Sequence, residues 1–272
     1  MHRTTIRPAE QQVGQSAGRV SVEDVSYTYH NHRGETRAIA GVSLEAAPGE
    51  WVGIVGPSGC GKSTLFSIVA GLLAPDHGEV RIDGESVRGP RPDVGYMLQQ
   101  DCLLEWRTVL DNALLGLDVR GARTPQAVER VKQMLRVSGL AGFERRLPRE
   151  LSGGMRQRAA LVRTLALDPR VVLLDEPLSA VDGQTRLLLE EELVRALRPR
   201  GATVLLVTHD IGEAIALCDR VVVLTHRPAR VKANYVIDLG AGADRLSPLE
   251  ARRSAAYSDY FSAIWNDLEV HA

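Results

Sequence analysis

Cysteine is scarce in this 272-residue chain: Cys60, Cys102 and Cys218 are the only three. Scattered thiols in that number make neither a disulfide framework nor a zinc site, and a reducing compartment is the simplest reading. An excess of one charge is also missing. Lys and Arg total 33 against 34 Asp and Glu, a formal net charge of -1, so no global basic field directs the chain to nucleic acid. Long apolar runs are absent. The strongest, 65–74, is interrupted by Ser67 and Gly71, whereas a bilayer span needs about 20 apolar residues. The N-terminal stretch MHRTTIRPAEQQVGQSAGR is polar and lacks the apolar region of a signal peptide. No internal repeat or low-complexity segment replaces these features. What remains, 44% apolar and 25% charged residues, is the composition expected of a soluble intracellular protein with a sizeable core.

Strand-like and helix-like segments alternate along most of the chain. Residues 1–18, with Pro8, Gly14 and Gly18, read as a flexible tail. Strands are expected at 20–29, 38–46 and 51–55, a helix at 62–72, and strands at 79–83 and 94–98. Residues 108–168 are helical in pattern. Within them Thr124–Pro125 is an N-cap followed by an N1 proline, and Ser138–Gly139 is a stop. From 171 the alternation resumes: strand 171–174, helix 185–197, strand 203–208, a helix from 211, strand 220–224. Such order predicts an α/β fold with a mostly parallel sheet covered on both faces. A helical subdomain at about 100–160 buds from a main unit over 19–240. Residues 241–272 read as a short, weakly helical C-terminal extension.

The segment GPSGCGKST, Gly56 to Thr64, fits G-x-x-x-x-G-K-[ST] and lies between an expected strand and an expected helix, the context this phosphate loop requires. Gly56, Pro57, Ser58, Gly59, Cys60 and Gly61 form the turn, whose N–H groups converge on phosphate oxygens at a helix N-terminus. Lys62 would reach the β- and γ-phosphates, Ser63 would hold Mg²⁺ through its hydroxyl, and Thr64 completes the motif. A nucleoside triphosphate with Mg²⁺ is the expected ligand. Cys60 reads as a small filler in the loop rather than a redox switch.

VVLLDEP, 171–177, is an apolar strand ending in two carboxylates. A buried parallel strand delivers its last residues to the ligand edge of the sheet. Asp175 is then placed for Mg²⁺, and Glu176 for polarising an attacking water. His209 ends the apolar strand TVLLVTHD and should emerge at the same edge. LSGGMRQR, 151–158, sets Ser152, Gly153 and Gly154 at a helix start, a second anion cradle. Two cradles and one acidic pair suggest that the second serves another chain's nucleotide.

In this order the phosphate loop, LSGGMRQR, VVLLDEP, SAVD (179–182) and TVLLVTHD resemble the ATP-binding-cassette ATPases over about residues 20–240. The resemblance implies a P-loop NTPase (RecA-like) core with an N-terminal antiparallel β region and an inserted α-helical subdomain. It also implies roles. Tyr29 in VSYTY, with Tyr27 as the alternative, would stack on adenine. Gln99 in VGYMLQQ would touch Mg²⁺ and the attacking water. Glu176 would be the general base, His209 the γ-phosphate contact, and Asp182 a residue at a dimer seam. Met155 departs from the glutamine common at its position and cannot donate a side-chain amide hydrogen bond.

A single cassette without long heptads, zinc spacing or a basic run favours a transporter motor over a soluble, ATP-gated assembly module. A stand-alone P-loop kinase would leave LSGGMRQR without a use. The stretch LLEWRTVLDNALLGL (103–117), with DEPLSAVDGQTR and HRPARV, resembles the nitrate, sulfonate and taurine importers, from whose usual LLPW the residue Glu105 departs. Exporters and extractors remain the alternative motors. The partners implied are transmembrane permease subunits, a second copy of this chain in a head-to-tail dimer with ATP, and indirectly a solute-binding protein, but no nucleic acid. The location implied is peripheral, at the cytoplasmic face of the inner membrane.

Overall fold

The chain is seen in a computed structural model that describes residues 17–32, 34–179, 181, 183–240 and 245–269. Most of the expected tail, and Asp182, lie outside the described residues. The strands are β1 (Val20–Asn31), β2 (Gly34–Ala46), β3 (Trp51–Val55), β4 (His77–Ile82), β5 (Glu85–Ser86), β6 (Val94–Met97), β7 (Val171–Asp175), β8 (Thr203–Val207), β9 (Arg220–Leu224) and β10 (Val231–Val236). The helices are α1 (Lys62–Val69), α2 (Val109–Ala113), α3 (Leu115–Val119), α4 (Pro125–Val137), α5 (Gly153–Leu165), α6 (Gly183–Leu197), α7 (Ile211–Leu217), α8 (Pro248–Ala251) and α9 (Ala255–Glu269).

Two sheets result. An antiparallel one runs β2-β1-β4-β5, and a six-stranded one runs β10-β9-β3-β8-β7-β6. The pairs β3–β8, β3–β9, β6–β7 and β7–β8 are parallel, and only β10 joins antiparallel. The mostly parallel sheet expected from the alternation is present, with the antiparallel sheet at its side.

Side-chain alternation explains the layering. Successive residues of a strand face opposite ways, so an apolar strand feeds two cores. Val52, Ile54, Val171, Leu173, Leu205 and Val207 pack with α1 and the antiparallel sheet. Their neighbours Trp51, Val55, Val172, Leu174, Val204 and Leu206 pack with the helices of the other face. All five residues of β3, of β7 and of β8 are buried, which is why these strands read as continuous apolar runs rather than alternating ones.

Helix α4 starts as the sequence dictates: Thr124 accepts a hydrogen bond from the Ala127 N–H at 3.1 Å, a cap worth about 1 kcal/mol. Helix α1 is shorter than expected. It ends at Val69 because Gly71 takes φ +73°, where an added Cβ would lie 2.2 Å from the Gly89 carbonyl; the apolar periodicity runs past that stop. The C-terminal segment departs further. In α9, Tyr257, Phe261 and Trp265 stack at centroid spacings of 6.4 and 6.1 Å, and Ile264 is fully buried. That helix packs on α7, β9 and β10. It is an integral layer, and β10 beside it had no sequence assignment.

Candidate functional site

Because β6, β7, β8 and β3 run parallel as neighbours, their carboxyl ends open at one edge. Ile54 and Asp175 both stand beside Val207 in the register. Four loops therefore converge there, carrying Gln99, Glu176, His209 and the phosphate loop. The phosphate loop and the loops of Gln99 and Glu176 border a cleft of about 250 Å³ lined by Tyr29, Lys62, Ser63, Thr64, Gln99 and Glu176, with Ser58, Gly59 and Gly61. His209 is not part of that lining and reaches the site through Glu176.

The loop geometry follows from its glycines. Gly61 has φ +123°, and a Cβ there would lie 2.9 Å from the Ala38 carbonyl, so no larger residue enters this turn unstrained. No side chain caps α1, leaving its N-terminal dipole facing the cleft. Lys62 is 7% exposed. Its Nζ donates to the Gly56 carbonyl at 2.8 Å and the Pro57 carbonyl at 2.9 Å, which keeps the ammonium inside the loop. Cys60 is buried, and burial pushes its thiol up. A buried, protonated thiol fits filler, not a redox handle.

Asp175 is 3% exposed. Burial pushes its carboxyl above the ordinary range, and a hydrogen bond from Ser63 pulls the other way. Tyr96 donates to the same carboxylate at 3.4 Å. Glu176 stands just beyond β7 with φ +48°, a left-handed conformation costing of order 1–3 kcal/mol for a residue with a side chain. Its N–H bonds the Val207 carbonyl at 2.8 Å. Its Oε2 accepts from Gln99 Nε2 at 2.9 Å and lies 3.3 Å from His209 Nδ1. The strained turn aims one carboxylate at two polar side chains from neighbouring strand ends.

Tyr29 borders the cleft, its hydroxyl 3.2 Å from Thr64 Oγ1, whereas Tyr27 packs against the inner core. Gln99 rather than Gln100 reaches Glu176. Ser152, Gly153 and Gly154 are not part of the cleft lining. Ser152 is exposed and caps α5, accepting from the Met155 N–H at 3.4 Å. Three lining residues, Thr36, Ala38 and Arg227, lie outside the residues the sequence assigned to the site. Thr36 was findable, since it pairs with Tyr29 across β1–β2, and Ala38 lies two residues further along β2. Arg227 lies in the β9–β10 connection, whose HRPARV stretch pointed to kinship and not to a site role.

Among the described residues no three His, Cys, Asp or Glu side chains cluster as a metal cage. Ser63, Asp175 and Gln99 instead offer a few hard oxygen donors. That suits Mg²⁺, which takes one or two carboxylates and completes its shell from phosphate and water.

No helix among the described residues is long and apolar enough to cross a membrane. The family profile described as "ABC transporter" matches residues 39–179. The chain is 41% identical over 247 residues to the uncharacterized ABC transporter ATP-binding protein YtlC of Bacillus subtilis (strain 168), covering 91% of this chain and 94% of that protein. It is 39% identical over 255 residues to the taurine import ATP-binding protein TauB of Ruegeria pomeroyi, with coverage of 91% and 94%. Among solved structures, the dimeric post-hydrolysis state of the ATP-binding cassette MJ0796 bound to ADP and Pi superposes with a TM-score of 0.73. The identity there is 31%, over 80% of this chain and 99% of that one. Likeness of this extent, in sequence and in fold, establishes kinship: the chain belongs to the ABC transporter family and is one of its ATP-hydrolysing cassettes.

Proposed function

We propose that this cassette powers uptake of a small oxyanion or organosulfonate, of the nitrate, sulfonate or taurine kind, through separate permease subunits served by a solute-binding protein. It would sit peripherally at the cytoplasmic face of the inner membrane. The observation that carries the catalytic part is the single carboxylate of Glu176, held between Gln99 and His209 beside the phosphate loop. The import part is supported by relatives named for taurine import, and by LLEWRTVLDNALLGL.

In this reading Tyr29 stacks on adenine. Lys62 exchanges two neutral carbonyl acceptors for phosphate oxygens, which make stronger, charge-assisted bonds. Ser63, Asp175 and Gln99 hold Mg²⁺, which when bound supplies charge neutralisation at the phosphates. Glu176 takes a proton from the water that attacks the γ-phosphorus, as the bond to the bridging oxygen breaks and ADP leaves. Gln99 orients that water, and His209 contacts the γ-phosphate. Ser152, Gly153 and Gly154 face the γ-phosphate of a second copy across a head-to-tail dimer, with Asp182 at the seam. The dimeric cassette of MJ0796 supports this pairing.

Replacing Glu176 with Gln keeps shape and hydrogen bonding but removes the base. ATPase assay should give a kcat lower by about 10²–10⁴-fold with ATP binding retained. Hydrolysis at the normal rate would refute the base assignment. Deleting the gene should abolish growth on nitrate, taurine or an alkanesulfonate as sole nitrogen or sulfur source; unimpaired growth on all of them would refute the substrate class.

A further inference from the structure

We infer that Arg186 is a positioning residue for hydrolysis, acting through His209 by fastening together the loops that follow β7 and β8; this rests on the roles proposed above for Glu176 and His209.

Arg186 stands in the first turn of α6. On a helix its natural partner is the residue four positions on, here Glu190. That carboxylate is otherwise engaged. Glu190 is fully buried, and both its oxygens accept from Arg252, at the end of α8, at 2.7 Å each. With Glu190 neutralised from the C-terminal segment, Arg186 turns away from its own helix. Its Nη1 donates to Asp210 Oδ2 at 2.8 Å, and its Nη2 donates to the Val181 carbonyl at 3.2 Å.

Those two acceptors belong to the two loops that matter. Val181 closes the turn that leaves Glu176, where the Ser179 N–H bonds the Glu176 carbonyl at 3.2 Å and the Val181 N–H bonds the Leu178 carbonyl at 3.2 Å. Asp210 follows His209 directly. Its Oδ1 accepts from the Glu213 N–H at 3.1 Å, and its own N–H donates to Thr208 Oγ1 at 3.0 Å. Thr208 in turn donates to Glu213. The residues on both sides of His209 are thus anchored. The imidazole itself is 59% exposed, so its place near Glu176 depends on the backbone beneath it. A planar guanidinium with two donors can hold both loops at one spacing; an ammonium cannot reproduce that fork.

A positioning role predicts a loss in turnover, not in nucleotide affinity, and a loss that passes through His209. Arg186→Met keeps the aliphatic stem and removes the fork. Its kcat should fall about 10–100-fold, the scale of a small misplacement at a reacting group, while the KM for ATP stays within about twofold. In a His209→Ala background the same substitution should change kcat less than about twofold, because the element it positions is gone. Equal fold losses in the two backgrounds would overturn the inference. Should Arg186→Met fail to fold, Asp210→Asn serves. It retains the helix cap and withdraws the charged acceptor, and it should lower kcat with the same dependence on His209. Wild-type kcat in Asp210→Asn would equally overturn it. Glu176→Gln in the same assay tests the underlying roles separately: a fast Glu176→Gln enzyme sinks those roles, whereas a slow one beside additive Arg186 effects sinks only the inference.

Discussion

Two helix N-termini in this chain can meet an anion, and their surroundings differ. At α1 no side chain caps the helix, a buried lysine waits on loop carbonyls, and a carboxylate pair with its polar neighbours stands alongside. At α5 the helix is closed by its own Ser152 through a long 3.4 Å bond. That end is exposed and stands outside the cleft lining. The α1 cradle gathers a lysine, an acid pair, a glutamine and a histidine within one chain. The α5 cradle offers the Ser152 hydroxyl, the first N–H groups of the helix and its dipole. A cradle rich in reacting groups and a bare one on the same chain make sense if copies combine, each lending its α5 end to the other's α1 end.

Substitutions at the two cradles should therefore separate binding from turnover. Lys62→Ala removes a charge-assisted contact worth about 1.5–3 kcal/mol, so ATP affinity measured on the isolated chain should fall about 10–150-fold. Gly153→Asp places a carboxylate where the partner's γ-phosphate is expected, a like-charge contact of several kcal/mol. Its ATPase rate should fall about 100-fold or more while affinity in the isolated chain is unchanged. Loss of ATP affinity in Gly153→Asp would break the distinction between the cradles.

The α1 cradle was legible in the sequence, because each part is a local pattern at a strand end. GPSGCGKST, VVLLDEP and TVLLVTHD announce a turn, an acid pair and a histidine. Parallel order then carries them to one edge. Gln99 was legible only through the family resemblance, since nothing in VGYMLQQ itself chooses between the two glutamines. The contacts beneath the site were not legible. Arg186 pairs with Asp210 rather than Glu190 because Arg252, 62 positions beyond Glu190, takes the nearer partner, and no local pattern carries that competition. The docking of α9 was likewise hidden, for its aromatic ladder is visible as a helix face but its target is not.

A smaller effect sharpens the view of the rigid ground behind the α1 cradle. Glu213, buried below Thr208 and His209, has its carboxyl pushed up to about 8, chiefly by burial and further by Glu190 and Asp210, while Thr208 and Arg186 act the other way. A folded-state value above the ordinary one means that the folded chain holds the proton. Its stabilising share is full below the ordinary glutamate range and is lost as pH rises through about 8. The Tm of the wild-type chain should fall between pH 5 and 9, and Glu213→Gln should flatten that slope, each kcal/mol moving Tm by about 2–4 °C. An unchanged slope would show that Glu213 does not hold a proton there.

The shared site itself is open to direct measurement by joining the two cradles across copies. Ser58 and Ser152 are exposed, whereas Cys60 and Cys218 are 1% and 0% exposed and can stay. Cys102 is exposed and is replaced by Ser, with Glu176→Gln stopping hydrolysis. One preparation carries Ser58→Cys and the other Ser152→Cys, distinguished by tags of different length, and the two are mixed with a short bifunctional thiol reagent. The account predicts a mixed cross-linked pair that forms with ATP and largely disappears without it. No mixed pair, despite confirmed ATP binding and reactive thiols, would contradict it.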